Sequence, residues 1–438
     1  PNNKSASNDD IANGEHSTQP SGSAAHEKDL IVALNDDCLE HIFKMLPIGD
    51  RINMILSYQP FSDIFAKRLK IDYKTNLNTK FFNTLQTFQL QVLLSIIGAY
   101  VKNLKVELPF EEESYLMEFI YFKFLLTYCS NVESLKYYGW SVNDETIKSL
   151  SSFKSLKSLT LINNSEITGN YLYELKGLQE LSLNNCTHIE TENFEKIFQN
   201  LKQLKMLDIR NCNNLSTQNY KTILENLKQL ETLKVSTSQE NYNSLAKLPN
   251  LRKLKIQRNN IISPAISKEF LNNLVKFQAE QLEQLQVVDY AGFDAEKAAL
   301  IAKLKNLKIL HCKCNSIDDE ILEKFSQLNE LVELDINNCY FITNRMVLQL
   351  LRKCLKLKRL NLRYCGVLTH DLVSSILQLL KLQHQIPLDR LQRDLESNRF
   401  SDKISDITLE DSYDFLKLSY KYITADFEGR TQVIEIVK

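Results

Sequence analysis

The chain has 438 residues, enough for several small domains or one long array. Its 53 Lys and Arg nearly balance 54 Asp and Glu, so net charge gives no reason to expect nucleic acid or an anionic membrane as a partner. The most apolar run, Val92 to Ile97, falls far short of the roughly 18 to 20 apolar residues that span a bilayer.

Residues 1–29 are rich in Asn, Ser, Gly and His and hold almost no large apolar side chain. They bury too little surface to offset ordering entropy and are expected to be disordered. The chain opens on Pro1 without the basic, apolar and small-residue order of a secretory signal, and its natural start is expected upstream.

Residues 30–75 read as three short helices. Leu39, Ile42, Phe43 and Leu46 fall at helical spacing, with Asn35 or Asp36 as the cap. Pro47 and Gly49 break that helix. Ile52, Ile55 and Leu56 belong to a second, and Ile64, Phe65 and Leu69 to a third that Pro60 suits as an opening residue. So small a core gains from docking on a partner or on a neighbouring domain. Residues 76–100 read as a connecting helix, with Phe81, Leu85, Phe88, Val92 and Ile96 along one side.

From residue 101 to 382 a leucine frame recurs. It reads Leu178-x-x-Leu181-x-Leu183-x-x-Cys186, then Leu204-x-x-Leu207-x-Ile209-x-x-Cys212, and much later Leu357-x-x-Leu360-x-Leu362-x-x-Cys365. Eleven frames begin at Val101, Val132, Leu156, Leu178, Leu204, Leu230, Leu251, Leu282, Leu307, Leu331 and Leu357, spaced by 21 to 31 residues. Each switches from period 2 to period 3.6, as in Phe194, Ile197, Phe198 and Leu201 after Cys186. That is the mark of an α/β leucine-rich-repeat solenoid, a horseshoe with a parallel inner sheet and outer helices, in which each repeat covers its neighbour's apolar face. The longest spacings, after Val101 and Leu251, call for longer outer segments. Residues 383–438 begin polar and end with aromatic and β-branched residues. They are expected to cap the open end of the array.

Of the nine cysteines, Cys38 lies in the first short helix and the others follow the repeat, and none suggests a disulfide framework, which suits a reducing compartment, cytoplasmic or nuclear. Four of them, Cys186, Cys212, Cys339 and Cys365, stand at the ninth frame position, where other frames carry Asn164, Asn259 or Asn315 and the chain turns out of the strand. His311-Cys312-Lys313-Cys314 invites a metal reading, but strand alternation buries Cys312 and turns His311 and Lys313 outward, and no C-x-x-C pair exists. No G-x-S-x-G, P-loop, G-x-G-x-x-G or H-E-x-x-H is present. The chain is therefore expected to be no enzyme and to need no cofactor or metal.

Strand residues between the leucines face the concave side. At about 4.8 Å per strand, eleven frames line an arc of roughly 50 Å, which suits a protein or peptide. Two basic sectors are candidate target sites: Arg210, Lys234, Lys253, Lys255 and Arg258 in the middle, and Lys313, Arg359 and Arg363 with Tyr364 later. Such sectors steer an acidic or phosphorylated segment. The competing reading is that these cations keep a long exposed sheet soluble.

Leu34-Asn35-Asp36-Asp37-Cys38-Leu39-Glu40-His41-Ile42-Phe43-Lys44-Met45-Leu46-Pro47 resembles the opening of an F-box, although Asn35 stands where that family usually carries Pro. The cysteine-bearing frames resemble the leucine-rich repeats of F-box proteins, and the order, F-box first, fits. The resemblance implies a substrate receptor of an SCF-type cullin-RING ubiquitin ligase. It places the adaptor contact on Leu34, Leu39, Ile42, Phe43, Leu46 and Pro47, with Ile52 and Leu56 secondary. The adaptor, through it a cullin, and a protein target would then be the partners. The alternatives are a repeat scaffold that does not engage the ligase, and a hydrolase or metal enzyme built on His311, Cys312 and Cys314.

Overall fold

A computed structural model of the protein describes residues 34–362, apart from 58, 74, 108–114, 139–141, 261, 291 and 338, together with 365, 368, 372, 375, 376, 379, 407–408, 417–420 and 434–437. The disorder expected over 1–29 lies outside the described residues. The chain divides into two compact units, Pro1–Asp72 and Tyr73–Lys438.

The first unit holds α1 (Asp36–Met45), α2 (Ile48–Ser57) and α3 (Gln59–Asp72). Asn35 is the cap of α1: its side chain accepts from the Cys38 backbone N–H at 2.9 Å. Asp36 and Asp37 follow in the first turn, where the helix dipole favours them. Leu46 turns extended ahead of Pro47 and ends the helix. Leu39, Phe43, Ile52, Ile55, Phe65 and Leu69 are buried together, and the Phe43 and Phe65 rings stack at 4.3 Å. Arg51 ties this core shut. It donates from Nε to the Leu46 carbonyl at 2.8 Å and from Nη2 to the Lys44 carbonyl at 2.6 Å, and it lies over the Phe43 ring.

The second unit opens with β1 (Asn76–Asn78), a 3-10 turn over Thr79–Thr84 and α4 (Thr87–Ile97). The single connecting helix expected over 76–100 is thus corrected: its first part is a repeat strand. The physical reason is Leu77, which is buried and registers beside Leu104 of the next strand. The expected helical spacing holds only beyond Leu85. Gly98 follows α4, and a Cβ there would meet the Tyr128 carbonyl oxygen at 2.6 Å, so the approach needs glycine.

The array continues with β2 (Asn103–Glu107), α5 (Tyr115–Tyr128), β3 (Ser134–Tyr138), α6 (Asp144–Ser149), β4 (Ser158–Ile162), β5 (Glu180–Ser182), α7 (Thr191–Asn200), β6 (Met206–Asp208) and α8 (Thr217–Asn226). Next come β7 (Thr232–Ser236), β8 (Lys253–Gln257), α9 (Lys268–Gln278), β9 (Gln284–Val288), α10 (Ala295–Ile301), β10 (Ile309–Lys313), α11 (Asp319–Phe325), β11 (Glu333–Asp335), α12 (Asn344–Lys353) and β12 (Arg359–Asn361). Short 3-10 turns stand in for helices after β4 and β7. The long spacings hold α5, with 14 residues, and α9, with 11.

Strands β1 to β12 lie parallel in sequence order in one sheet, which makes the second unit an α/β leucine-rich-repeat solenoid. One register row runs from Leu77 through Leu104, Leu135 and their successors to Leu360, a leucine in every strand, each 2% exposed or less. Burying each contributes roughly 1.5–3 kcal/mol. This row faces the helix layer, where Phe194, Ile197 and Phe198 of α7 and Val347 and Leu350 of α12 are buried. Helix α8 is capped by Ser216, which shares a capping box with Asn219, and Glu190 precedes α7.

The exit from each strand has its own chemistry. Asn163, Asn185 and Asn211 take positive φ of 57°, 62° and 58°, a conformation Asn tolerates. The next position is the ladder of Asn and Cys. Asn164 Oδ1 accepts from the Glu166 and Ile167 N–H groups. The thiols of Cys186, Cys212, Cys339 and Cys365 each donate to a carbonyl of the preceding repeat, at 3.1 to 3.7 Å.

Beyond β12 the sheet continues with three antiparallel strands, in the spatial order β15 (Ile434–Val437), β14 (Lys417–Tyr420) and β13 (Ile407–Thr408). Most of the segment expected to form the cap lies outside the described residues. Within 371–382, the described residues Leu372, Ser375, Ile376 and Leu379 are helical, and the three apolar ones are buried.

Candidate functional site

Alternation turns every second strand residue away from the leucine row onto the open face of the sheet. Its central register row reads Asn78, Lys105, Lys136, Thr160, Ser182, Asp208, Lys234, Lys255, Gln286, His311, Asp335 and Asn361. Charge is concentrated around its middle.

Asp208 faces outward yet is 2% exposed, because Arg210 covers it. The guanidinium donates from Nε to Oδ1 at 2.8 Å and from Nη2 to Oδ2 at 2.6 Å. Residues i and i+2 of an extended segment share a face, which makes this two-pronged clamp possible. The remaining Arg210 nitrogen, Nη1, reaches Gln257 Oε1 at 3.3 Å, and Gln257 Nε2 donates to Asn211 Oδ1 at 3.2 Å. The clamp is therefore held rigid across three strands.

Lys234 brings its Nζ to 3.7 Å from Asp208 Oδ2. Lys255, one strand further, is half-buried and finds no hydrogen-bond acceptor among the described residues. Burial, then the positive charge of Arg210, push its amine down to about 8; Lys234 and Lys313 add to this and Asp208 opposes it. Arg210 and Lys234 thus meet the one carboxylate, which Arg210 already occupies, while Lys255 and Lys313 add positive charge without an ion pair among the described residues. Elsewhere several cations at the sheet are paired. Lys102 and Lys157 both reach Glu133 at 2.9 Å and hold its carboxyl down at about 2, and Arg252 and Lys308 both reach Glu283. The central excess is local, which weakens the view that these lysines only keep the sheet soluble.

An uncompensated cation costs stability, as groups kept for binding often do. Lys255→Met is expected to stabilise the fold at pH 7 by roughly 1 kcal/mol after allowance for solvent screening. Below pH about 8 both folded and unfolded wild type carry the proton, so the penalty is constant. Between about 8 and 10.5 the folded chain has lost a proton that the unfolded one keeps, wild-type stability climbs, and the mutant's advantage shrinks. Urea unfolding at pH 7 and pH 10 measures this. Equal stabilities at pH 7 would show that the amine carries no penalty.

The structure redistributes the other candidates. Arg258 is corrected: it is no surface anchor. It sits past the end of β8, 15% exposed, donating from Nε to the Ser263 carbonyl at 2.7 Å and facing the fully buried Asp289 at 3.5 Å. Asp289 also accepts from the backbone N–H groups of Gly292 at 2.9 Å and Ile266 at 3.2 Å. Lys253 is exposed at the third frame position. Arg359 pairs with Glu333 at 2.9 Å, and Glu333 also takes the His311 ring at 2.8 Å. Lys313 is half-buried on β10. Arg363 and Tyr364 lie outside the described residues. Cys312 and Cys314 are buried with their sulfurs 3.5 Å apart, and Cys312 lies on the face opposite His311. Among the described residues no group of three His, Cys, Asp or Glu is placed to hold a metal.

In the helical unit Leu39, Phe43 and Ile52 are withdrawn from the proposed contact, because they form its own core. Leu34, Pro47 and Leu56 are exposed, and Ile42 and Leu46 partly so. The sequence reading missed Met45, which is 74% exposed. Cys38, Ile42 and Met45 fall at i, i+4 and i+7 and form a second, outward apolar stripe on α1, rotated from the Leu39–Phe43 stripe. That spacing was visible in the sequence, but nothing there tells which stripe faces in. Also missed were Ile262, Tyr290 and Phe341, exposed apolar side chains in the loops that follow β8, β9 and β11.

No protein-family model matches the sequence, and comparison with curated proteins finds no match. Among solved structures, the chain is similar to the yeast Rad7 and Elc1 complex, at 16% identity and TM-score 0.43, covering 72% of this chain and 89% of that one. It is also similar to an internalin from Listeria monocytogenes, at 14% identity and TM-score 0.34, covering 67% and 81% respectively.

Proposed function

We propose that this chain is a non-catalytic recognition subunit that joins two proteins. The open sheet face holds a target, and the helical unit holds the adaptor of an SCF-type cullin-RING ubiquitin ligase, in the cytoplasm or the nucleus. The observation that carries the target half is the local excess of cations, Arg210, Lys234, Lys255 and Lys313 with the carboxylate of Asp208 already committed to Arg210, on the open face of a long parallel sheet. Its occupant is a protein segment with acidic or phosphorylated side chains, because such groups meet a block of cations of which Lys255 and Lys313 make no ion pair among the described residues. Chemistry on the target would belong to other subunits. This chain raises the effective concentration of target lysines at the transfer site.

The adaptor half rests on the F-box-like sequence of Leu34 to Pro47 and on the outward stripe of α1. Apolar anchors that desolvate on docking carry most of an interface's affinity. Full-length protein is expected to bind the SCF adaptor subunit in a calorimetric titration. The Ile42→Asp/Met45→Asp double variant is expected to weaken that binding by about 30-fold or more, while its thermal melting stays close to wild type. Absence of binding by the wild-type chain would refute the ligase reading and leave a repeat scaffold.

A further inference from the structure

The target reading gives the amine of Lys255 only the role of a positive charge. Its surroundings suit a further one. The Lys255 side chain lies on the open face, half-buried, in register with Lys234 on the neighbouring strand. Arg210 and Lys313 are close enough to act on its charge, and the one carboxylate of the cluster is occupied by the two prongs of Arg210. An amine among cations, with no acceptor to hold its proton, is a nucleophile beside an anion site. The cations favour an electrophile that is negatively charged and that leaves as an anion.

We propose that Lys255 is an acylation site that takes acyl phosphates, with Arg210, Lys234 and Lys313 holding the phosphate leaving group. The neutral amine adds its lone pair to the acyl carbon. The N–C bond forms, the bond from that carbon to the bridging oxygen breaks, and the electron pair leaves on phosphate. The nitrogen gives one proton to the departing phosphate. The products are an amide on Lys255 and inorganic phosphate. The depressed basicity of the amine supports this, since much more of it is neutral near pH 7.5 than of an ordinary lysine. The assignment is independent of which protein the sheet captures. An amide there would remove one cation from the recognition face.

Lys136 is the internal reference: it stands in the same register row on β3, exposed to solvent. Full-length protein is treated with acetyl phosphate, and separately with uncharged phenyl acetate, and acetylation at each lysine is followed by peptide mass spectrometry. With acetyl phosphate at pH 7.5, Lys255 is expected to label at least about tenfold faster than Lys136. Its rate should level off above pH about 8 while that of Lys136 keeps rising. Inorganic phosphate should slow Lys255 alone, and the preference should fall by about threefold or more with phenyl acetate. Labelling of Lys255 no faster than Lys136 overturns the proposal. A preference that is the same for both donors also overturns it, because the cations would then play no part. Lys234→Gln/Lys313→Gln, which removes two of the three cations without touching the amine, is expected to shrink the difference between donors by about threefold or more, and a difference that stays unchanged also counts against the proposal.

Discussion

Changing Lys234, Lys255 and Lys313 together to glutamate is expected to lower affinity for acidic or phosphoserine peptides by about 100-fold or more. The three amines line one block of the open sheet face, and two of them, Lys255 and Lys313, make no ion pair among the described residues. An incoming anion therefore does not have to break an internal bridge at those positions. Each reversal removes an attraction and adds a repulsion of similar size. About 1 kcal/mol at each position reaches that loss, since 1.4 kcal/mol is tenfold. The check is a peptide array of Glu-rich and phosphoserine sequences against full-length wild type and variant, at two salt concentrations. Wild-type binding should weaken steeply with salt. Unchanged binding by the triple variant would remove the target half of the proposed function. Arg359 serves as the contrast. Its guanidinium is already paired with Glu333, so Arg359→Gln is expected to cost much less.

The largest stability effect is expected at a residue whose sequence suggested a binding role. Arg258→Met should destabilise the solenoid by about 3 kcal/mol, because it strips the cation from a carboxylate that is 0% exposed. Two backbone N–H donors remain on Asp289, which holds the cost to the lower end of the range for broken buried pairs. The same substitution frees the Ser263 carbonyl and with it the loop after β8. Urea unfolding of Arg258→Met, Asp289→Asn and the double variant separates pair from loop. The double variant should be less destabilised than the sum of the singles, since neither partner is then left charged and alone. A single-variant loss below about 0.5 kcal/mol would place Arg258 back among the surface cations.

These cases show what one-dimensional reading reaches. The leucine frame from Val101 to Cys365 was legible because each unit repeats the same alternation and the same exit, so eleven weak signals reinforce one another. The first strand was not legible. It is three residues long, and the apolar Phe81, Leu85 and Phe88 that follow mimic a helix face. Periodicity alone could not show that Leu77 belongs to the leucine row until its neighbour strand supplied the register. The helical unit shows the same limit: α1 carries two apolar stripes, and packing against α3 through Phe43 and Phe65 chose which one became core.

The linear order of residues by itself determined the repeat architecture, the ladder of Cys and Asn at the strand exits and the face on which the basic residues lie. All three follow from periods of 2 and 3.6 and from local turn chemistry, which need no distant partner. The tertiary structure alone decided which cations are spent and which are available. Asp208 meets Arg210 and Lys234, Asp289 meets Arg258, and Glu333 meets Arg359, while Lys255 meets no acceptor among the described residues. Apart from the clamp of Asp208 by Arg210, these pairings join residues 26 to 31 apart in the chain. The distance between charges sets their energy, and for such residues that distance exists only once the strands are stacked.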